Sequence, residues 1–408
     1  MSILADEVTV RKNSGADIGA RRRLNYIEGA NVTLTIADDP TDQEIDVTVA
    51  SAVGASASRV FTYLVYESAG TYYAIATATG AVTSNASFST LMNTLQGHIY
   101  LNEGTYSVDA SVVLDVSYMI LEGAGWRTLL SLANGVDSSV ITVTAGNCSI
   151  RNLRIYGNNA NNAGTSHGIY VYRSAGHRFE NLKIYDCETD GIHLGEPGVW
   201  DNAKACLGGK ITGCYIGDAS SPNTGHGIYV DYHATDWEII NNVLASHTTA
   251  SKSGIAIDGS NTLTSLNHMW GNYYNAMPAI GEHMNGWQSV GDKFMDNVRH
   301  GIYKATGHWW ANSNITGGYF WRSGDSVADT YDAIKTVGNV RCVVVSGCSG
   351  RGENSAGTHM SKYFWNADAN VISSSVIGCI LEGYNEAAPI AFAGAGCLDQ
   401  HNILYDCS

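Results

Sequence analysis

Residues 152–157, Asn-Leu-Arg-Ile-Tyr-Gly, and 167–171, His-Gly-Ile-Tyr-Val, are followed by a near copy: residues 181–186, Asn-Leu-Lys-Ile-Tyr-Asp, and 190–194, Asp-Gly-Ile-His-Leu. Each copy holds two short runs of alternating apolar and polar residues, separated by loop residues. Period-2 alternation sends one set of side chains inward and the other outward, as in a strand. A pair of strands recurring every few tens of residues predicts a solenoid. Working outward, first runs start at Asn152, Asn181, Gly213, Asn241, Gly271, Gly291, Gly317, Gly347, Gly378 and His401. The mean step is roughly 28 residues, inside the range of stacked repeats. Second runs follow at Ile169, Ile192, Ile228, Ile255, Ile280, Ile302, Ile334, Tyr363 and Ile390. A leucine-rich repeat is excluded, because the copies lack its Leu spacing and have no helical half. Their strands are bounded by Gly, Asn and Ser instead.

Composition agrees with an all-β chain of many corners: 45 Gly, five Pro and only 15% charged residues in 408. Hydrophobic residues make up 44%, enough for a large core and too many for a disordered chain. The net charge of −15 argues against nucleic-acid binding, which needs a basic footprint. It also repels acidic polymers at long range, leaving only a local basic groove as a way to hold one. No apolar run is long enough to span a membrane, and the N-terminus Met-Ser-Ile-Leu-Ala-Asp-Glu does not read as a signal peptide. Nine cysteines are spread out without a metal-type pair. Cys214, Cys348 and Cys379 share a column with Leu153, Leu182, Asn242 and Asn272, which reads as an inward stack of reduced thiols formed in a cytosol.

Residues 31–50 read as a hairpin: Val32, Leu34 and Ile36 alternate, Asp38-Asp39-Pro40 turns, and Ile45, Val47 and Val49 alternate back. A lone hairpin is marginal in water, so residues 1–50 are expected to pair with other copies or attach to a neighbouring protein. Residues 51–58 are a small-residue linker, and the solenoid occupies 59–408. Phe88, Leu91, Met92 and Leu95 follow Ser87 at helical spacing, predicting a short helix that covers the open first coil.

After that helix come Gly97-His-Ile-Tyr-Leu-Asn-Glu-Gly-Thr-Tyr106 and Ile120-Leu-Glu-Gly-Ala-Gly-Trp126. This order resembles the opening of pectate-lyase-like right-handed parallel β-helices, a superfamily shared by polysaccharide lyases, glycoside hydrolases, epimerases and phage tailspikes. Residues 21–39, Arg-Arg-Arg-Leu-Asn-Tyr-Ile-Glu-Gly-Ala-Asn-Val-Thr-Leu-Thr-Ile-Ala-Asp-Asp, resemble segments that precede such domains in phage tail and virion proteins. The resemblance implies a virion-surface homotrimer that folds in the host cytoplasm. It would attach to virion or tail proteins through its N-terminal region, bind a cell-surface polysaccharide and cut it if it is a depolymerase. The alternatives are a stand-alone polysaccharide lyase or glycoside hydrolase, and a non-enzymatic virion decoration. No separate C-terminal trimer-forming domain of the kind tailspikes often carry is visible.

The outward residues of the second run supply the candidate site. One column is Tyr170, His193, Tyr229, Ala256, Gly281 and Tyr303; the next is Tyr172, Gly195, Asp231, Asp258, His283 and Ala305. Neighbouring strands lie about 4.8 Å apart, so Asp231 and Asp258 are expected as adjacent carboxylates, with Tyr170, Tyr172, His193, Tyr229, Glu282 and His283 around them. Paired carboxyls with aromatics suit glycoside cleavage, one as acid and one as base or nucleophile. Against that, both aspartates end strands, and Asp258-Gly259 is a turn dipeptide. A lyase would draw its base from Arg173, Arg178, Lys183, Lys304 or His193. His167, Asp190, His226, Ser253 and His300 recur before the Gly-Ile step, where histidine is expected to bond a neighbouring backbone group and not a metal. No cofactor is implied. Trp270, Tyr273, Tyr274, Trp309, Trp310, Phe320 and Trp321 are expected in core or interface, and loops 196–210, 217–226 and 322–332 are the roomiest for ligand binding.

Overall fold

The computed structural model describes residues 61–196, 201–279, 284–323, 330–353, 361–367, 370–393, 395–405 and 407, together with the backbone of strands at 8–11, 17–21, 32–39 and 44–51. The chain divides into two compact units, 1–59 and 60–408. In the first, Val32–Asp39 pairs antiparallel with Glu44–Ser51. In the second, nearly every strand pairs in parallel with its counterpart one coil away.

One sheet holds eleven short strands, from Val112–Leu114 to Ile390–Phe392. The other strands form the remaining walls. A typical coil runs from Ile169–Val171 through Ala175–Tyr185, turning at Asn181, and returns at Ile192–Leu194. The register Ile141↔Ile169↔Ile192↔Ile228↔Ile255 stacks like on like, and each of these isoleucines is fully buried. Each such side chain contributes about 1.5–3 kcal/mol by leaving water, so the repeat read in sequence is also the core. Helix Phe88–Met92 begins on Ser87, whose hydroxyl accepts from Thr90 N–H, and buries Phe88, Leu91 and Met92 in that core. Among the described residues no helix is long and apolar enough to cross a membrane.

The register departs from the spacing-based alignment in one region. The corner of that coil is Leu266, not Gly271, because Val243↔His268↔Lys293 places Leu266 in line with Asn241 and Gly291. Asn267, not Asn272, therefore occupies the Cys/Asn column. The short strand of the next coil is Tyr274–Pro278, with Ala276 where Ile280 was expected and Met277 where Gly281 was expected. Ala279, whose N–H bonds Ile257 carbonyl, follows Asp258 in the second column in place of His283. Trp365, not Tyr363, pairs with Ile334. Small Ala and a Pro replace the Ile-x-Val signal there, so the alternation fades.

The Leu266 corner is left-handed, at φ 54°, as are Asn152, Asn181, Gly213, Asn241, Gly291, Gly317, Gly347, Gly378 and His401 in the same column. Leucine pays a steric cost in this region that glycine avoids, and Leu266 is 63% exposed, so little burial offsets it. Leu266→Gly is therefore expected to stabilise the protein by about 1 kcal/mol, read as a higher urea midpoint. A lower midpoint would contradict this register.

None of the nine cysteines forms a disulfide, and six of them are buried. Burial pushes the Cys206 and Cys214 thiols up to about 12, so they are inert apolar filling and not nucleophiles. Trp310 and Phe320 are core, whereas Trp270, Tyr273 and Trp321 are half-buried.

Candidate functional site

Tyr170, His193, Tyr229 and Ala256 stand in one register column of the short sheet, as spacing predicts. Tyr172, Gly195, Asp231 and Asp258 form the next, each donating its N–H to the strand-end residue one coil earlier. Gly195 is required there: at φ +97° a Cβ would sit 3.2 Å from the Asp231 Cβ and from Ala234 N. Asp231 is 4% exposed and Asp258 0%. Neighbouring rings lie against both carboxylates, His193 on Asp231 and Tyr229 on Asp258, and the His193 and Tyr229 centroids are 4.9 Å apart. Tyr229 donates its hydroxyl to Asp258 Oδ2 at 2.7 Å. Burial, then the charges of Asp258 and Asp231, push the Tyr229 hydroxyl far above its ordinary range. Glu282 and His283 lie outside the described residues.

The structure gathers a group around His193 that the column analysis only half shows. His193 Nδ1 lies 2.8 Å from Asp190 Oδ2, and Nε2 lies 3.3 Å from Asp231 Oδ2. Asp190 Oδ1 also accepts the His226 N–H at 2.7 Å. Burial alone would strip the proton from His193, but its hydrogen bonds to Asp190 and Asp231 outweigh burial and hold its pKa up at about 9. Asp190 is correspondingly held well below the usual carboxylate range despite its burial. Both ring nitrogens thus carry protons at neutral pH. The sequence signal for this arrangement is Asp190-x-x-His193, which brings a corner carboxylate back onto the middle of the strand.

His193 and Tyr229 open onto a cleft of about 450 Å³, walled by Thr165, His167, Glu188, Thr189, Asp190, Thr224, Gly225, His226 and Lys252. The loops that form it are tied across coils: Gly164 N–H donates to Glu188 Oε1 at 2.5 Å, and Cys187 N–H to Asn223 Oδ1 at 2.8 Å. The expected loop 217–226 therefore does border the cleft. Among the described residues, the buried Glu188 Oε2 has no hydrogen-bond partner.

Of the expected base candidates, only His193 lines this cleft. Arg173 is held by Glu196 at 2.7 and 3.0 Å. Lys183 bonds Asp218 at 2.8 Å on another wall, and Arg178 pairs with Glu180. Lys304 is fully buried, its ammonium donating to Ala305 carbonyl. The histidine column behaves as expected: His167, His226 and His300 each accept, on Nδ1, the backbone N–H of Asp190, Ser253 and Asp332 one coil on. The donor atoms of His167, Asp190 and His193 lie within 4.8 Å of one another, a spacing a transition ion can bridge. Each is already engaged in the hydrogen bonds described, so proton and metal compete for the same lone pairs.

No protein-family model matches the chain, and no curated protein does. Solved structures do. The A-module of the Azotobacter vinelandii mannuronan C-5 epimerase AlgE4 superposes with a TM-score of 0.52 at 15% identity, over 76% of this chain and 87% of that one. Full-length tailspike protein 2 of an Escherichia coli O157:H7 bacteriophage gives 0.55 at 12% identity, over 76% of this chain and 43% of that one. The enzymatically active domain of bacteriophage CBA120 tailspike protein 2 gives 0.52 at 13%, over 74% and 48%. The fold is a right-handed parallel β-helix. At these identities the likeness is one of fold, and this β-helix spans less than half of either tailspike chain. Residue roles rest on the local geometry alone.

Proposed function

We propose that this β-helix is a tailspike-like glycan-binding protein that holds a surface polysaccharide on the outward face of the short sheet, over Tyr170, His193 and Tyr229. The observation that carries the reading is the cleft itself. It joins the Tyr229 ring, a cationic His193 clamped between two carboxylates, and Glu188 Oε2, which has no hydrogen-bond partner among the described residues, while Tyr170 stands beside it with its ring centre 5.4 Å from that of His193. In this reading the protein is a homotrimer on a virion, joined to it through residues 1–50.

Cleavage of the bound glycan is the second reading, favoured by the protonated state of His193. An imidazolium with pKa about 9 is a proton donor at neutral pH and a poor base. The Tyr229 hydroxyl, pushed up and donating to Asp258, is not a base either. In hydrolysis the Nε2 proton, held only at 3.3 Å from Asp231, passes to the leaving oxygen, and the Asp231 carboxylate so released takes the proton of the attacking water, whereas elimination would need a base beside a carboxylate that neither His193 nor Tyr229 supplies. Asp190 then holds the ring through Nδ1, and Asp258 positions Tyr229.

The test is a panel of bacterial surface polysaccharides scored for binding, for new reducing ends and for ultraviolet-absorbing unsaturated ends. Tyr170→Ala is expected to weaken binding roughly tenfold, the scale of a lost aromatic contact. His193→Gln is expected to remove any reducing-end release while the fold persists. Full binding and turnover in both variants would refute the site.

A further inference from the structure

Beyond the cleft, the corner that carries Lys252 continues as an alternation of cation and aromatic ring. Tyr274 N–H donates to Lys252 carbonyl, and Arg299 N–H to Tyr273 carbonyl. Tyr331 then pairs with Ser361, and Lys362 N–H donates to Tyr331 carbonyl. Successive coils therefore present Lys252, Tyr273, Arg299, Tyr331 and Lys362. The Arg299 guanidinium is sandwiched, 4.8 Å from the Tyr273 ring centre and 5.3 Å from that of Tyr331. All five residues are half-buried, each partly open to solvent. Among the described residues no carboxylate pairs with Lys252 or Arg299, whereas Lys362 lies 3.6 Å from Glu386.

This is an unusual accumulation in a chain of net charge −15. Acidic side chains elsewhere repel an anionic polymer at a distance, so a local row of three cations, two of them without a carboxylate partner among the described residues, is the feature that would select one on contact. Coils are about 4.8 Å apart, so cations on alternate coils repeat at about 9.6 Å. That is close to the length of a disaccharide in an extended chain. The half-buried tyrosines between them hold the Arg299 guanidinium between their rings; Arg299 also bonds the Tyr274 side chain, and a guanidinium has five N–H donors, so others remain for a carboxylate. Lys252 also lines the His193 cleft, so row and cleft are continuous.

We propose that this corner is an extended subsite for an anionic polysaccharide bearing one acidic group per disaccharide. The proposal rests on the glycan-binding reading of the cleft and names the class of glycan that the cleft receives.

The test is binding of size-matched hyaluronan (one carboxylate per disaccharide), polygalacturonate (one per sugar) and dextran (uncharged) to the full chain at low and moderate salt. Hyaluronan is expected to bind best, with affinity falling as salt rises. Arg299→Gln, which keeps much of the side-chain stem, is expected to lower hyaluronan affinity roughly tenfold and flatten its salt dependence. Tyr331→Ala is expected to lower it with the salt dependence kept. An unchanged thermal transition in each variant excludes misfolding as the cause. Equal binding of dextran and hyaluronan, tighter binding of polygalacturonate, or an Arg299→Gln variant indistinguishable from the parent would overturn the inference while leaving the glycan-binding reading intact. If neither these glycans nor any on the surface-polysaccharide panel binds, both fall.

Discussion

Acidification from pH 7 to pH 5 is expected to remove on the order of 5 kcal/mol of stability, comparable to the whole margin of an ordinary domain. The cause is a set of histidines folded into the solenoid in their neutral form. Burial pushes His226 and His300 down to about 3, and His177 and His247 down to about 4. A histidine whose folded pKa is depressed contributes stability that is present above its unfolded value near 6.5 and lost as pH falls. Each costs up to about 1.4 kcal/mol per pH unit below that point. Asp332, raised to about 6 by burial, works in the opposite direction, but it is one group against four. His193 adds an alkaline limb. Its folded pKa of about 9 lies above the unfolded value, so its contribution is full below pH 6.5 and fades as pH rises through 9. Asp190 is the other half of that same pair and is counted once. Equilibrium urea titrations from pH 4 to 10 should therefore give a dome. A midpoint that is flat between pH 7 and 5 would mean these histidines are not buried as described.

Asn267→Ala is expected to cost about 3–5 kcal/mol, the range for breaking a buried hydrogen-bond network. Asn267 Oδ1 accepts from both the N–H and the side-chain amide of Asn242, each at 3.0 Å. Its own amide donates to Ile239 carbonyl at 2.7 Å and Asp292 Oδ1 at 3.0 Å. The column continues upward, where Cys214 N–H donates to Asn242 Oδ1, and it ends on Asp292, which Thr264 and Ser289 hydroxyls satisfy. Truncation therefore leaves a buried carbonyl and a buried N–H without partners, in a ladder where each amide orients the next. A loss below about 1 kcal/mol would show that water replaces the side chain and that the column is not the closed stack described.

The solenoid was legible because its corners and core repeat in kind. Gly or Asn marks the left-handed corner, and Ile-x-Val or Ile-x-Leu marks the inward strand, so chemistry and period agree. Between residues 263 and 285 both signals fail together. Leu266 takes a corner that normally excludes leucine, and Ala276 and Pro278 replace the aliphatic pair. Gly271 and Ile280 then mimic the motif a few residues late, which displaced Gly281 and His283 into columns that Met277 and Ala279 occupy.

The site divides in the same way. Tyr170, His193 and Tyr229 share a face because alternation demands it. The burial of Asp231 and Asp258 could not be read, since it depends on where rings and loops of other coils come to lie. The role of Asp190 was hidden for another reason: it belongs to the corner column, and only the path of the backbone turns it toward His193.

The central claim is that the His193 cleft is where the protein meets its glycan. Hydrogen–deuterium exchange of the full chain, with and without the tightest-binding polysaccharide from the panel, tests it most directly. The account predicts slowed exchange in the backbone of residues 163–172, 186–193, 223–232 and 250–256, with the walls around Lys183 and Lys210 unchanged. Protection confined to those other walls, with the cleft segments unaffected, would contradict it.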